Sequence, residues 1–217
     1  MSPQADNVPP PRIAVWLVTL FAPPGDLDSI PGDLVEEFTQ MASEEGVVCA
    51  RRWFWRQTAR TIAQLVGAGF RTAPWTITAV VTGGFLLRWF VSWLSDPAIN
   101  GAIGVALERY GVYEHDPQAY ILWLTGSMLI LRLILNTLIG ALVAVVATGR
   151  EMTATMTLGL AGVVLALHAT LLTVAQTGDY GVLWTLPHTF TFSIAIIVAG
   201  AAVRTYRSAM TTRRAVT

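Results

Sequence analysis

Residues 120–147 read YILWLTGSMLILRLILNTLIGALVAVVA, a run whose single charged residue is Arg132. A helix needs about 20 mainly apolar residues to cross the roughly 30 Å hydrocarbon core of a bilayer, so this stretch is long enough to span. Lipid offers no partners for backbone N–H and C=O groups, and a helix satisfies them internally. Three further runs have the same character, at residues 73–94, 155–174 and 187–203. The expected fold is all-α, a four-helix transmembrane bundle with a small helical cytoplasmic N-terminal domain. The composition agrees: of 217 residues, 53% are hydrophobic and only 13% charged, which excludes an ordinary soluble domain.

Arginine supplies all 14 basic side chains, and its placement orients the spans. Arg51, Arg52, Arg56, Arg60 and Arg71 precede the first span, Arg150 lies between the second and third, and Arg204, Arg207, Arg213 and Arg214 follow the fourth. Only Arg109 falls in the segments left on the other side. By the positive-inside rule both termini are cytoplasmic, and residues 95–119 and 175–186 face outward. Trp89, Trp93, Tyr120, Trp123, Tyr180 and Trp184 would form an outer aromatic belt. Cys49 is the lone cysteine, so no disulfide framework is available. The opening MSPQADNVPPPR lacks the basic and apolar segments of a signal peptide, and the first span is expected to direct insertion.

Ahead of the spans the chain is organised differently. Residues 1–11, proline-rich and polar, read as a disordered lead. A prefix domain is expected over 12–70, the bundle over 71–205 and a basic cytoplasmic tail over 206–217. Within the prefix, Ile13, Trp16, Leu17, Leu20 and Phe21 recur at helical spacing before Pro23, Pro24 and Gly25 end the pattern. Ile30, Leu34, Phe38 and Met41 mark a second helix that carries Glu36 and Glu37, with Gly46 as its end. A third, from 47 to 66, sets Arg52, Arg56 and Arg60 in one stripe and Trp55, Ala59, Ile62 and Val66 in another. Such a helix suits the headgroup region of an anionic leaflet, and it is equally suited to pairing with the acidic helix before it.

The order PPRIAVWLVTLFAPPGDLDSIPGDLVEEF, a glycine, then ARRWFWRQTART resembles the second type of permease prefix domain. That module is found at the N-terminus of bacterial ABC-exporter permeases of the macrolide-exporter type, and also in small membrane proteins without the permease. The resemblance covers about residues 11–66, and Gly32–Phe38 and Arg51–Gln57 are its most specific parts. It implies an ABC exporter permease as partner and a docking role for Glu36, Glu37, Arg52, Trp53, Trp55 and Arg56. The chain departs from the full exporters in lacking a long extracytoplasmic domain, a second large set of spans and a nucleotide-binding sequence.

Polar residues inside the spans are the other candidates. Counting 1.5 Å per residue, Arg88, Arg132 and His168 fall at similar depth in the outer half of the bilayer, with His188 just above them. Asn136 follows Arg132 by one helical turn, on the same face. Three readings stand: the arginines snorkel outward with Asp96, Glu114 or Asp179 as counterions; they line an inward pocket for an anionic headgroup, solute or partner side chain; or His168 relays protons. The runs contain no Asp or Glu, which disfavours proton coupling. Gly140 with Ala144, Gly162 with Ala166 and Ala195 with Ala199 permit close helix approach. Asp96-Pro97 and Asp116-Pro117 are helix-start signals, the first predicting a short amphipathic helix on the outer surface.

Glu114, His115 and Asp116 are adjacent and metal-capable, yet lack the i, i+3 or i, i+4 spacing of a ligand set. No phosphate loop, dinucleotide fingerprint or nucleophile elbow is present. The arginines of the third helix interleave tryptophans and abut a span, which favours the membrane surface over nucleic acid. The expectation is a non-enzymatic accessory or regulatory protein without cofactor. Its alternative is a small homo-oligomeric transporter or channel for an anionic solute or lipid.

Overall fold

The computed structural model describes residues 8–23, 26, 29–178 and 185–216, apart from the side chains of 95, 96, 100, 113, 185 and 211–216. Asp179, Tyr180 and Trp184, most of the N-terminal lead and the side chains of Asp96, Arg213 and Arg214 lie outside the described residues. All regular structure described is helical: α1 (Arg12–Phe21), α2 (Ser29–Glu44), α3 (Val47–Thr72), α4 (Pro74–Arg109), α5 (Val112–His115), α6 (Pro117–Val146), α7 (Glu151–Thr177) and α8 (Thr185–Val216). The chain divides into two compact units, Met1–Trp75 and Thr76–Thr217.

In the first unit, α1 and α2 pack against α3 around Ala14, Val18, Leu34, Phe38, Ala42, Ala50 and Phe54. The Phe38 and Phe54 rings meet edge to face, with centroids 5.6 Å apart, a favoured aromatic geometry. Gly46, at φ +90°, makes the turn between α2 and α3 in a region that side chains rarely adopt. One expectation about a face is corrected. The sequence RIAVWLVTLF of α1 is apolar nearly all round, so periodicity does not select its inner face; Ala14 and Val18 face inward while Ile13 and Trp16 are exposed. On α3 the packed face is Ala50, Phe54 and Thr58, which leaves Trp55 and Ala59 outside beside the arginines. α3 also runs past the predicted end at 66, to Thr72. Ala73 breaks it because a residue before proline is pushed out of helical conformation, and Pro74 opens α4.

In the second unit, α4, α6, α7 and α8 are each long and apolar enough to cross a membrane. Their outward side chains suit lipid rather than water: Leu122, Ile130, Leu138, Leu160, Val164, Leu171 and Val198 are all exposed. Hydroxyls on these helices bond their own backbone one turn back, as Thr137 does to Leu133, Thr173 to Ala169 and Thr191 to Pro187, so they need no outside partner. The core is Ile139, Val143, Ala147, Ala154, Leu158 and Ile196, with Val80, Val81, Phe85 and Leu87 of α4 laid against it.

Small residues set the spacing. A Cβ at Gly140 of α6 would lie 2.6 Å from the Ile196 carbonyl oxygen of α8, and one at Gly200 of α8 would collide with the Thr155 side chain of α7. Side chains larger than hydrogen would push these helices apart. Asp116 accepts from the backbone N–H groups of Gln118 and Ala119, 3.0 Å each, ahead of Pro117; this start signal works as the sequence predicts. Asp96-Pro97 does not. Pro97 lies inside a continuous α4, so the separate surface helix is absent. A proline removes one backbone donor and crowds one carbonyl, yet the helix continues through it to Arg109.

Candidate functional site

Neighbouring residues give the bundle its register. α6 and α8 run parallel, since Arg132 shares a cavity wall with His188, Gly140 meets Ile196, and Val145 meets Arg207. α7 is antiparallel to both, and α4 places Gly84 against Val143 and Leu158. This register brings Arg88 of α4, Arg132 of α6 and His188 of α8 to one cavity of about 320 Å³. Thr125 and Thr189 add hydroxyls to its wall, and Met128, Leu129 and Phe192 add apolar surface.

Arg88 is drawn in toward α7. A Cβ on Gly162 would lie 2.9 Å from one Arg88 guanidinium nitrogen and 3.8 Å from the Ser193 hydroxyl, so the absence of a side chain at 162 makes room for the charge. Arg88 makes no hydrogen bond or ion pair among the described residues. Among the described residues the charge acting on it is that of Arg132, a like charge. Holding an ionised group at bilayer depth costs at least about 2.5–3.5 kcal/mol on insertion scales, and a second cation nearby adds to that. Both costs fall when an anion enters.

Two other residues grouped with the arginines in the sequence do not line the cavity. Asn136 is buried on α6, where its side-chain amide donates to the Arg132 carbonyl at 2.7 Å and its Oδ1 has no hydrogen-bond partner. His168 is exposed on α7, six residues beyond Gly162.

A second charged cluster escaped the sequence reading. Glu151, the first residue of α7, is 4% exposed. Its Oε1 accepts from Arg207 of α8 at 2.7 Å and from the Gly149 backbone N–H at 3.0 Å, while Arg204 stands 3.8 Å from Oε2. Arg207 also donates to Thr148 and to the Val145 carbonyl, at 3.2 and 2.9 Å. The tight turn, with Gly149 at φ +78°, thus aims one carboxylate between two arginines a helical turn apart. In the sequence its signal is Glu151 beside Arg150 and an i, i+3 arginine pair, Arg204 and Arg207, on the last helix.

Around the remaining candidates, His115 Nδ1 contacts the Gly111 carbonyl at 2.7 Å, and Asp116 caps α6. No group of three metal-capable side chains comes together among the described residues. On the first unit, Glu36, Glu37, Arg52, Trp55 and Arg56 are exposed, whereas Trp53 is half-buried against the core. None of the four charges is in an ion pair among the described residues. The acidic α2 meets α3 through Leu34, Phe38 and Ala42, not through its glutamates. No protein-family model, curated protein or solved structure matches the chain.

Proposed function

We propose that the chain is a non-enzymatic, multi-pass protein of the bacterial inner membrane with both termini cytoplasmic, acting as an accessory or regulatory partner of an ABC-type exporter permease. The observation that carries this reading is the outer face of α3. Arg52 and Arg56 stand exposed beside Trp55, with the packing needs of the unit already met by Phe38 and Phe54 on the other side. Exposed arginine next to tryptophan is the composition of a docking face, whether against anionic headgroups or an acidic partner surface. The resemblance of residues 11–66 to a permease prefix domain supplies the partner class, and the arginine distribution supplies the orientation. The test is Arg52→Glu together with Arg56→Glu in the full chain: co-purification from native membranes with an exporter permease should fall at least about tenfold. Unchanged co-purification, with the variant still inserted, removes the docking role.

A second reading, a small oligomeric transporter or channel for an anionic solute or lipid, draws support from the cavity that Arg88 and Arg132 line. Purified protein in liposomes that carries an anion flux abolished by Arg132→Ala would put this reading ahead of the accessory one; silence in that assay would set it aside.

A further inference from the structure

We propose that the cavity between Arg88 and Arg132 binds a net-anionic phosphate group, the chemistry shared by an acidic phospholipid headgroup and free phosphate. The inference rests on the four-span reading of the bundle and not on docking to a permease, and it concerns binding rather than flux.

Three features of the cavity select the ligand. The first is charge: guanidinium groups arrive from two different helices, Arg88 on α4 and Arg132 on α6, and Arg88 has no anionic partner among the described residues. The second is the number and direction of donors. A guanidinium presents a rigid fork that grips two oxygens at once, and a carboxylate has only two oxygens to divide among such groups, as Glu151 does between Arg204 and Arg207. A phosphate has further oxygens for the second fork and for Thr125, Thr189 and His188 around the same wall. A halide has no oxygens to meet such an array. The third is size and lining. At about 320 Å³ the space is near the lower end of the roughly 300–1,000 Å³ typical of ligand pockets. That accommodates a headgroup with its glycerol portion against Met128 and Phe192, but not acyl chains, which would stay in the lipid.

Depth fits as well. His188 precedes Arg204 by 16 residues on α8, a rise of about 24 Å. With Glu151, Arg204 and Arg207 at one edge of a hydrocarbon layer about 30 Å thick, His188 lies about 6 Å inside the other edge, and Arg132, 13 residues before the Val145 that meets Arg207, lies about 10 Å inside it. Guanidiniums on flexible stems reach across such a distance to the headgroup layer.

The test uses the full chain purified in a neutral detergent, with native mass spectrometry to count bound lipid during titration with phosphatidylglycerol or phosphatidylcholine. Phosphatidylglycerol should occupy one site per chain at about tenfold lower concentration than phosphatidylcholine, and Arg88→Met with Arg132→Met should bring the two lipids to parity. Thr125→Trp, which fills the cavity from an exposed position and leaves both arginines in place, should do the same if the double variant fails to fold. Inorganic phosphate against sodium chloride at equal ionic strength separates the sources. If phosphate raises the melting temperature of the wild type alone while the two lipids bind equally, the ligand is the free anion. Equal lipid binding with no phosphate effect overturns the proposal, as does a phosphatidylglycerol preference that survives in a folded variant.

Discussion

The two units of this chain are built inside out relative to one another. In the first, Phe38, Phe54 and Val18 are sealed from solvent and Glu36, Arg52 and Arg56 point away from the core. In the second, Leu122, Leu138 and Leu171 face outward while Glu151, Asn136, Thr155 and Ser193 are buried. Apolar burial drives the first arrangement, the pattern of a unit that folds in water. Within lipid that drive between helices disappears, and close packing of small residues and polar contacts take its place. Gly140 against Ile196 and Glu151 between Arg204 and Arg207 are the local forms of that substitution.

The contrast can be broken most sharply at Glu151. Glu151→Ala removes the carboxylate that Arg204 and Arg207 share, and because the Arg207 side chain is 34% exposed the loss falls below the figure of about 3–5 kcal/mol for a fully buried pair. The melting temperature of the purified protein in detergent should fall, and Glu151→Ala combined with Arg207→Leu should recover part of the loss. A fall no larger than that of an exposed charge change would mean that the cluster does not hold α7 to α8.

Phe54→Ala probes the other unit, where truncation of a buried aromatic costs about 3–5 kcal/mol. Limited proteolysis of the full chain should become faster within Arg12–Thr72, with the bundle fragment still protected. Protection unchanged over that range would contradict a cohesive core around Phe54.

The smallest effects sharpen the contrast by using one substitution in both units. Leu138 and Val48 are both exposed, at 60% and 85%. Leu138→Lys should impair membrane insertion by about 2.5–3.5 kcal/mol, seen as a loss of membrane-fraction protein. Val48→Lys should change stability by no more than about 0.5 kcal/mol. Equal outcomes would erase the distinction between the two surroundings.

The bundle was the more legible unit. Runs such as residues 120–147 announce their length and their solvent directly, and Asp116-Pro117 marks a helix start that the structure keeps. Asp96-Pro97 carries the same letters and fails, because a cap signal is local whereas the helix through it is sustained by apolar residues on both sides. In the prefix the helices themselves were legible but their inner faces were not. Trp16 and Trp55 are apolar by type, and only the packing partners Ala14, Ala50 and Phe54 decide that the tryptophans stay outside. The cavity was half legible: similar depth suggested Arg88 with Arg132, but depth along a helix carries no azimuth, so His168 was grouped with them although it is exposed on α7. Glu151 was missed for a related reason, since its partners are more than 50 residues away in sequence, Arg204 and Arg207 on α8.

α4 contributes one of the two arginines, and among its described side chains and glycines only Ile77 and Gly84 are buried. Arg132, by contrast, belongs to the closely spaced trio of α6, α7 and α8. An anion held between Arg88 and Arg132 therefore works as a rivet, fastening a peripheral strut to a rigid post. By mass action its occupancy sets how firmly that strut is held, and an empty site leaves it fixed by a few apolar contacts, Phe85 among them, and one glycine notch.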